Sequence, residues 1–289
     1  MSPYDLVLVP FVEFEFMRRA LAGTSILAIS ACPVGVFLML RRMSLAGDAI
    51  AHAILPGAAV GFVLAGLRVL PMTIGGLVAG LLVAALSGLV SRTTIQREDA
   101  SLAAFYLISL ALGVLLVSLR GSSIDLMHVL FGSVLALNDQ AIVLVAGIAT
   151  FTLIALALAW RALVAECIDP SYLRTVSRAG PYVHQIFLLL VVLNLVGGFQ
   201  TLGTLLSVGL MILPAAAARF WARRLETMCL VATAIGLLAA SVGLLLSYHL
   251  GTASGPSIVL TAGAAYLISL VAGRRGALAS RPTGRHRIA

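Results

Sequence analysis

The sequence predicts an all-α, polytopic integral membrane protein, a helical bundle of about nine transmembrane helices with eight as the alternative count. Three observations lead there. Of 289 residues, 61% are hydrophobic and only 10% are charged, whereas a soluble domain carries roughly a quarter charged residues. The apolar residues fall into runs close to the roughly 20 that a helix needs to cross a bilayer. All 19 basic residues are arginines, and they gather between the runs as in the loops of membrane proteins. Too little polar surface remains to coat a soluble domain, which excludes a cytosolic enzyme, a secreted module and a disordered chain. Without lysine the chain has no P-loop or Schiff-base lysine, so any ATP it uses is bound by another chain. Cys32, Cys167 and Cys229 show no CxxC spacing and indicate neither a disulfide framework nor a zinc knuckle. Glu13 and Glu15 precede the first apolar run, and no removed signal peptide is expected.

The expected spans are, in order, about 20–40, 46–66, 70–91, 101–119, 130–160 with a break near Asn138-Asp139, 184–200, 203–220, 227–249 and 257–273. Only Gly197-Gly198 and Gly203 divide the sixth from the seventh, and merging them leaves eight. Arginine placement favours nine. With the N-terminus outside, Arg41, Arg42, Arg92, Arg97, Arg161, Arg174, Arg178, Arg219, Arg223, Arg224 and the five arginines after residue 273 fall inside. Arg18, Arg19, Arg68 and Arg120 fall outside, as the positive-inside rule requires. Residues 1–273 read as one transmembrane domain and 274–289 as an arginine-rich cytoplasmic tail, expected to be disordered. The stretch 161–183, on the inside, reads as short interfacial helices broken at Asp169-Pro170 and Gly180-Pro181. Its mixed composition favours docking to a cytoplasmic partner over a plain solvated loop. Gly57-x-x-x-Gly61 and Gly76-x-x-x-Gly80 permit close helix contact, a weak signal in a chain with 27 glycines.

Nearly every charge lies at a span end. The exception is Asp48, with His52 one helical turn later, in "RRMSLAGDAIAHAILPGAAVGF". Residues four apart share a helix face, and ionisable groups inside a span face a pathway or a partner. An aspartate and a histidine so placed can reach one divalent cation. Pro56 has no backbone N–H, so the His52 carbonyl loses its helical partner and becomes a third possible ligand or marks a kink. The bland alternative is a carboxylate at the dipole end of a helix with His52 bonded to it. His128, His184 and His249 lie near span ends and read as interfacial; His249 is the best of them for a cation entrance. Glu98-Asp99 reads as an N-terminal charge cap. An intramembrane protease finds no support: His52 lacks the H-E-x-x-H frame, and Ser133 with His128 fits no known geometry. A proton-coupled secondary transporter using Asp48 and His52 remains a reading of another class.

With these residues in view, "GVFLMLRRMSLAGDAIAHAILPGAAVGF" resembles the signature stretch of the permease subunits of zinc/manganese-type bacterial ABC importers. "REDASLAAFYLISLALGVLLVS", "LMHVLFGSVLAL", "VGLMILPAAAARFWARRL" and "LLLSYHLGTASGPSIVL" extend the resemblance over about residues 16–273. The resemblance implies a vitamin B12-importer-like permease with one helix fewer, in the bacterial inner membrane, with a periplasmic N-terminus and a cytoplasmic C-terminus. It implies a second copy of the chain, two cytoplasmic ATPase subunits and a periplasmic metal-binding protein as partners. The family's intramembrane pair maps onto Asp48 and His52. Its coupling helices map to about 166–180, which makes Glu166, Asp169, Pro170, Arg174, Arg178 and Gly180 the expected ATPase contacts. The chain itself would be a transport subunit rather than an enzyme, with no permanent cofactor. The wording of "PFVEFEFMRRAL" and "DASLAAFYLISLALGVLLVSLRGS" looks most like zinc-type members, so zinc is the expected cargo, with manganese or iron as the alternative.

Overall fold

A computed structural model describes residues 8–66, 68–96, 98–119, 134–168 and 180–276. These residues are helical, without strands. A short α1 (Val9–Glu13) leads into nine longer helices: α2 (Glu15–Leu40), α3 (Ser44–Ala65), α4 (Val69–Thr93), α5 (Glu98–Leu119), α6 (Asp139–Ile168), α7 (Gly180–Leu202), α8 (Thr204–Ala218), α9 (Leu225–Leu250) and α10 (Ser254–Ala272). Each expected span corresponds to one of the nine. Seven are long and apolar enough to cross a membrane; the apolar part of α5, Asp99–Leu115, and the whole of α8 are shorter. At 1.5 Å per residue α8 spans about 22 Å, less than the hydrocarbon core.

Specific contacts set the helix directions. Phe14 stacks near Tyr248 with ring centroids 5.6 Å apart, and Arg19 pairs with Asp139 at 3.2 Å. The start of α2, the start of α6 and the end of α9 therefore share one end of the bundle, here the upper end. Arg41 pairs with Glu166, and the Arg275 N–H donates to the Phe220 carbonyl at 3.1 Å. The ends of α2, α6, α8 and α10 thus share the lower end. The core is centred on α2 and α7, whose Leu27, Phe37, Leu38, Phe187, Leu190 and Leu195 are fully buried. Both helices are apolar nearly all round, as buried membrane helices are.

Three local features explain the joints. Leu40 ends α2 in a Schellman motif: the Arg42 N–H donates to the Met39 carbonyl and the Met43 N–H to the Leu38 carbonyl, both at 3.0 Å. Arg42 takes the left-handed conformation that glycine usually fills, at φ 60°. Gly203 separates α7 from α8 at φ 96° and ψ 157°, a backbone region closed to other residues. The short fold-back this permits is why two helices form where one merged span was the alternative. Inside α8, Pro214 removes the donor for the Leu210 carbonyl, and the buried Cys32 thiol of α2 donates to it instead at 3.3 Å.

The fifth span is interrupted at Asn138-Asp139, as expected, but its helix runs beyond the expected end at 160. Asn138 caps the helix, its side-chain oxygen accepting the Ala141 N–H at 2.8 Å, after a single 3₁₀ turn at Val134–Ala136. The helix then continues to Ile168, so residues 161–168 belong to α6 rather than to a separate interfacial helix. Gly180 opens α7. Asp169, Pro170, Arg174, Arg178, His128, Ser133 and the arginine tail beyond residue 276 lie outside the described residues.

Candidate functional site

The sharp α2–α3 joint sets α3 at the lower end, and Asp48 and His52 rise from its second and third turns. The inward face of α3 is fully apolar, with Ile50, Ala53 and Ile54 at 0% exposure. Asp48 and His52 point away from that core: their side chains are 61% and 33% exposed, and His52 Nε2 lies 3.6 Å from Asp48 Oδ1. That separation exceeds a hydrogen bond. It is close to the roughly 3–3.5 Å between two ligand atoms that sit about 2.1 Å from one ion. The two side chains therefore stand apart as a split pair on an open face.

α3 stays helical through Pro56, and its neighbours explain how. α5 runs parallel beside it, presenting Tyr106, Ser109 and Gly113 at helical spacing. Tyr106 lies over the His52 ring at a centroid distance of 6.2 Å. The Ser109 hydroxyl donates to the Ala53 carbonyl at 3.1 Å, in the stretch that Pro56 disturbs. Gly113 admits the proline, since a Cβ there would stand 3.0 Å from Pro56 Cβ. His52 Nδ1 is buried without a partner among the described residues. Sequence reasoning missed Tyr106 and Ser109. Their only sequence signal is a polar pair three apart inside an otherwise apolar span.

Among the described residues, His249 and Glu166 do not join this pair. His249 lies in the last turn of α9 at the upper end, against the Tyr248 ring at 5.2 Å, away from the lower half where Asp48 sits. Glu166 is not turned outward. It is 8% exposed, paired with Arg41, and its Oε1 stands 3.6 Å from His184 Nδ1. Glu98 and Asp99 open α5 as expected. Among the described residues no three His, Cys, Asp or Glu side chains gather into a possible metal site. The described residues therefore bring Asp48 and His52 together and add no third ligand of these types.

The described residues thus form a helical membrane bundle that carries an acid–imidazole pair on an open helix face. The model of the ABC 3 transport family matches residues 13–273, and the chain belongs to that family. The manganese import system permease protein ScaB of Streptococcus gordonii is 34% identical over 257 residues, covering 89% of this chain and 91% of that one. The chelated iron transport system membrane protein YfeD of Yersinia pestis is 29% identical, covering 93% and 89%. The solved structure described as PsaBC from Streptococcus pneumoniae in complex with Fab is 34% identical and superposes with a TM-score of 0.82, covering 93% of this chain and 95% of that one. A metal-chelate type ABC transporter in an inward-facing conformation shares the fold at a TM-score of 0.62 and 19% identity, over 86% and 82%. These names carry manganese and iron. None of them carries zinc, so they favour the alternative cargo over the zinc expected from sequence wording.

Proposed function

We propose that this chain is the membrane-spanning permease of an ATP-driven importer of a divalent transition metal, with manganese as the leading cargo and iron as the second. Its setting is the bacterial inner membrane, with the N-terminus periplasmic. It works with a second copy of itself, two cytoplasmic ATPases and a periplasmic metal-binding protein. Family membership supports the importer class. The names of the relatives, YfeD among them for iron, support the cargo over zinc. One carboxylate and one imidazole with water in the remaining positions suit a harder ion than a closed thiolate site would.

The observation that carries the reading is the split, open Asp48–His52 pair. Asp48 supplies negative charge against a cation that has lost part of its hydration in a low-dielectric passage. His52 supplies a directional nitrogen ligand. Two ligands hold an ion weakly enough to release it, as conduction requires. The pair of a second copy would complete the shell if the open faces of α3 meet at a two-fold axis.

The test is uptake of radioactive Mn²⁺ into liposomes holding the full complex, with ATP inside and the binding protein outside. Asp48→Asn and His52→Ala are each expected to lower uptake at least about tenfold, the loss of roughly one good ligand interaction, while the complex still assembles and binds ATP. Near-parental uptake by either variant would make the pair structural. Competition by Fe²⁺ and Zn²⁺ in the same vesicles ranks the cargo, and preference for Zn²⁺ would overturn the manganese assignment.

A further inference from the structure

We propose that Arg41 and Glu166 are positioning residues of the transport site: their buried ion pair fastens the start of α3, with Asp48 and His52, to the end of α6. A load applied by an ATPase to the connection that follows α6 would then reach the metal pair through this link. The proposal rests on the importer reading above.

Three helices meet at the pair. The Arg41 and Glu166 side chains are 8% and 9% exposed. The guanidinium lies over the buried Phe187 ring of α7, 4.5 Å from its centroid. His184 of α7 approaches the same Glu166 oxygen at 3.6 Å. Arg41 Nη1 and Glu166 Oε2 have no further partner among the described residues, so much of what holds each charge is the other charge. Stability alone does not account for such an arrangement. A buried ion pair is roughly neutral against apolar residues of the same size, and a carboxylate in the last turn of α6 opposes that helix's dipole.

Geometry makes the pair a stiff link. Arg41 is the C-cap of α2, and only residues 41–43 separate α2 from α3. The Arg41, Arg42, Met43 and Ala46 amides all donate to carbonyls within this joint, at 2.9–3.0 Å. The joint therefore has little slack, and displacement of Arg41 moves the first turn of α3. Asp48 lies about 6 Å further along the α3 axis, four residues of helical rise from Ser44. On the other side, Glu166 is two residues before the end of α6, where the chain leaves for the α6–α7 connection.

The experiment compares Mn²⁺ uptake with phosphate release from the same vesicles carrying the complete complex. Arg41→Met with Glu166→Leu replaces the pair by apolar side chains of similar length, a change that folds commonly tolerate. Arg41→Lys keeps the charge and loses the planar fork. The double variant is expected to assemble, to melt close to the parent and to hydrolyse ATP at no less than about half the parental rate. Its Mn²⁺ moved per ATP should fall at least about tenfold, and that of Arg41→Lys about threefold, within the usual range of coupling between sites. A parental ratio in either variant overturns the proposal. So does a proportional loss of hydrolysis and uptake, which would assign the pair to docking, or a failure of both variants to assemble, which would assign it to folding. Failure of the importer reading shows elsewhere, as absence of ATP-dependent Mn²⁺ or Fe²⁺ uptake by the unsubstituted complex.

Discussion

Single side chains in this protein repair what helix-breaking residues undo. Cys32 is the clearest case, because its thiol serves the carbonyl that Pro214 leaves without a donor. In an apolar interior with no water to step in, that carbonyl is costly to abandon. Cys32→Ala is therefore expected to destabilise the detergent-solubilised protein by about 1–2 kcal/mol, and Cys32→Ser by less. The readout is thermal unfolding, and equal melting temperatures for parent and Cys32→Ala would sink the assignment. Ser109 of α5 donates to the Ala53 carbonyl, one residue past the His52 carbonyl that Pro56 frees. Neither contact is visible in sequence, since each joins residues far apart in the chain. The Asp48–His52 pair is different: it shares one helical turn, so its spacing alone announces it. Glu166 shows the converse. A charge near a span end looks like a loop residue until its partner, Arg41, is brought beside it by the fold.

Helix by helix, run length placed most of the long helices, because an apolar run of sufficient length has few other ways to satisfy its backbone in lipid, while the division of α7 from the short α8 rested on arginine placement. What failed was the far boundary. The break at Asn138-Asp139 shows in sequence as a polar pair inside an apolar run, and Asn138 caps the helix there, but that helix continues to Ile168 rather than ending at 160. Pairing between helices was also hidden. Gly57 and Gly75 face each other so closely that a Cβ on either would overlap the other's carbonyl oxygen, and Gly61 lies as tightly on Pro71. The first small-residue pattern thus packs α3 on α4, while Gly76 and Gly80 turn to Ile54 and Val192. Gly57→Ala should push two backbones apart and cost about 1–3 kcal/mol. Gly263→Ala, in α10 with nothing within 4 Å of its added Cβ, should be neutral or stabilise by up to about 1 kcal/mol. Thermal melting of the two variants side by side checks this, and a stable Gly57→Ala would show that the α3–α4 crossing is looser than described.

Among the described residues, arginines gather at the lower end. Arg41, Arg42, Arg219, Arg223, Arg224, Arg274 and Arg275 lie at its joints, against Arg18, Arg19 and Arg68 above. On the positive-inside rule the lower end is the one expected to face the cytoplasm. In a chain freed of its native cysteines, Arg68→Cys should react with a membrane-impermeant thiol reagent added outside intact cells. Arg223→Cys should react only after the membrane is opened. The reverse pattern would invert the orientation, and with it the side from which Asp48 is approached. The same bundle accounts for the spread of the expected site residues, since His249 and Asp48 occupy opposite halves.

The start of α2 and the end of α10 stand at opposite ends of the bundle. Two copies of this chain accordingly cannot be fused tail to head by a flexible tether of a few residues. The tether would have to traverse some 30 Å of hydrocarbon to reach the next first helix, which bare backbone cannot do and only one more apolar helix can. Evolution by tandem duplication, and any engineered single-chain pair, must therefore carry an added crossing, or the two halves must be synthesised as separate polypeptides and find each other in the bilayer.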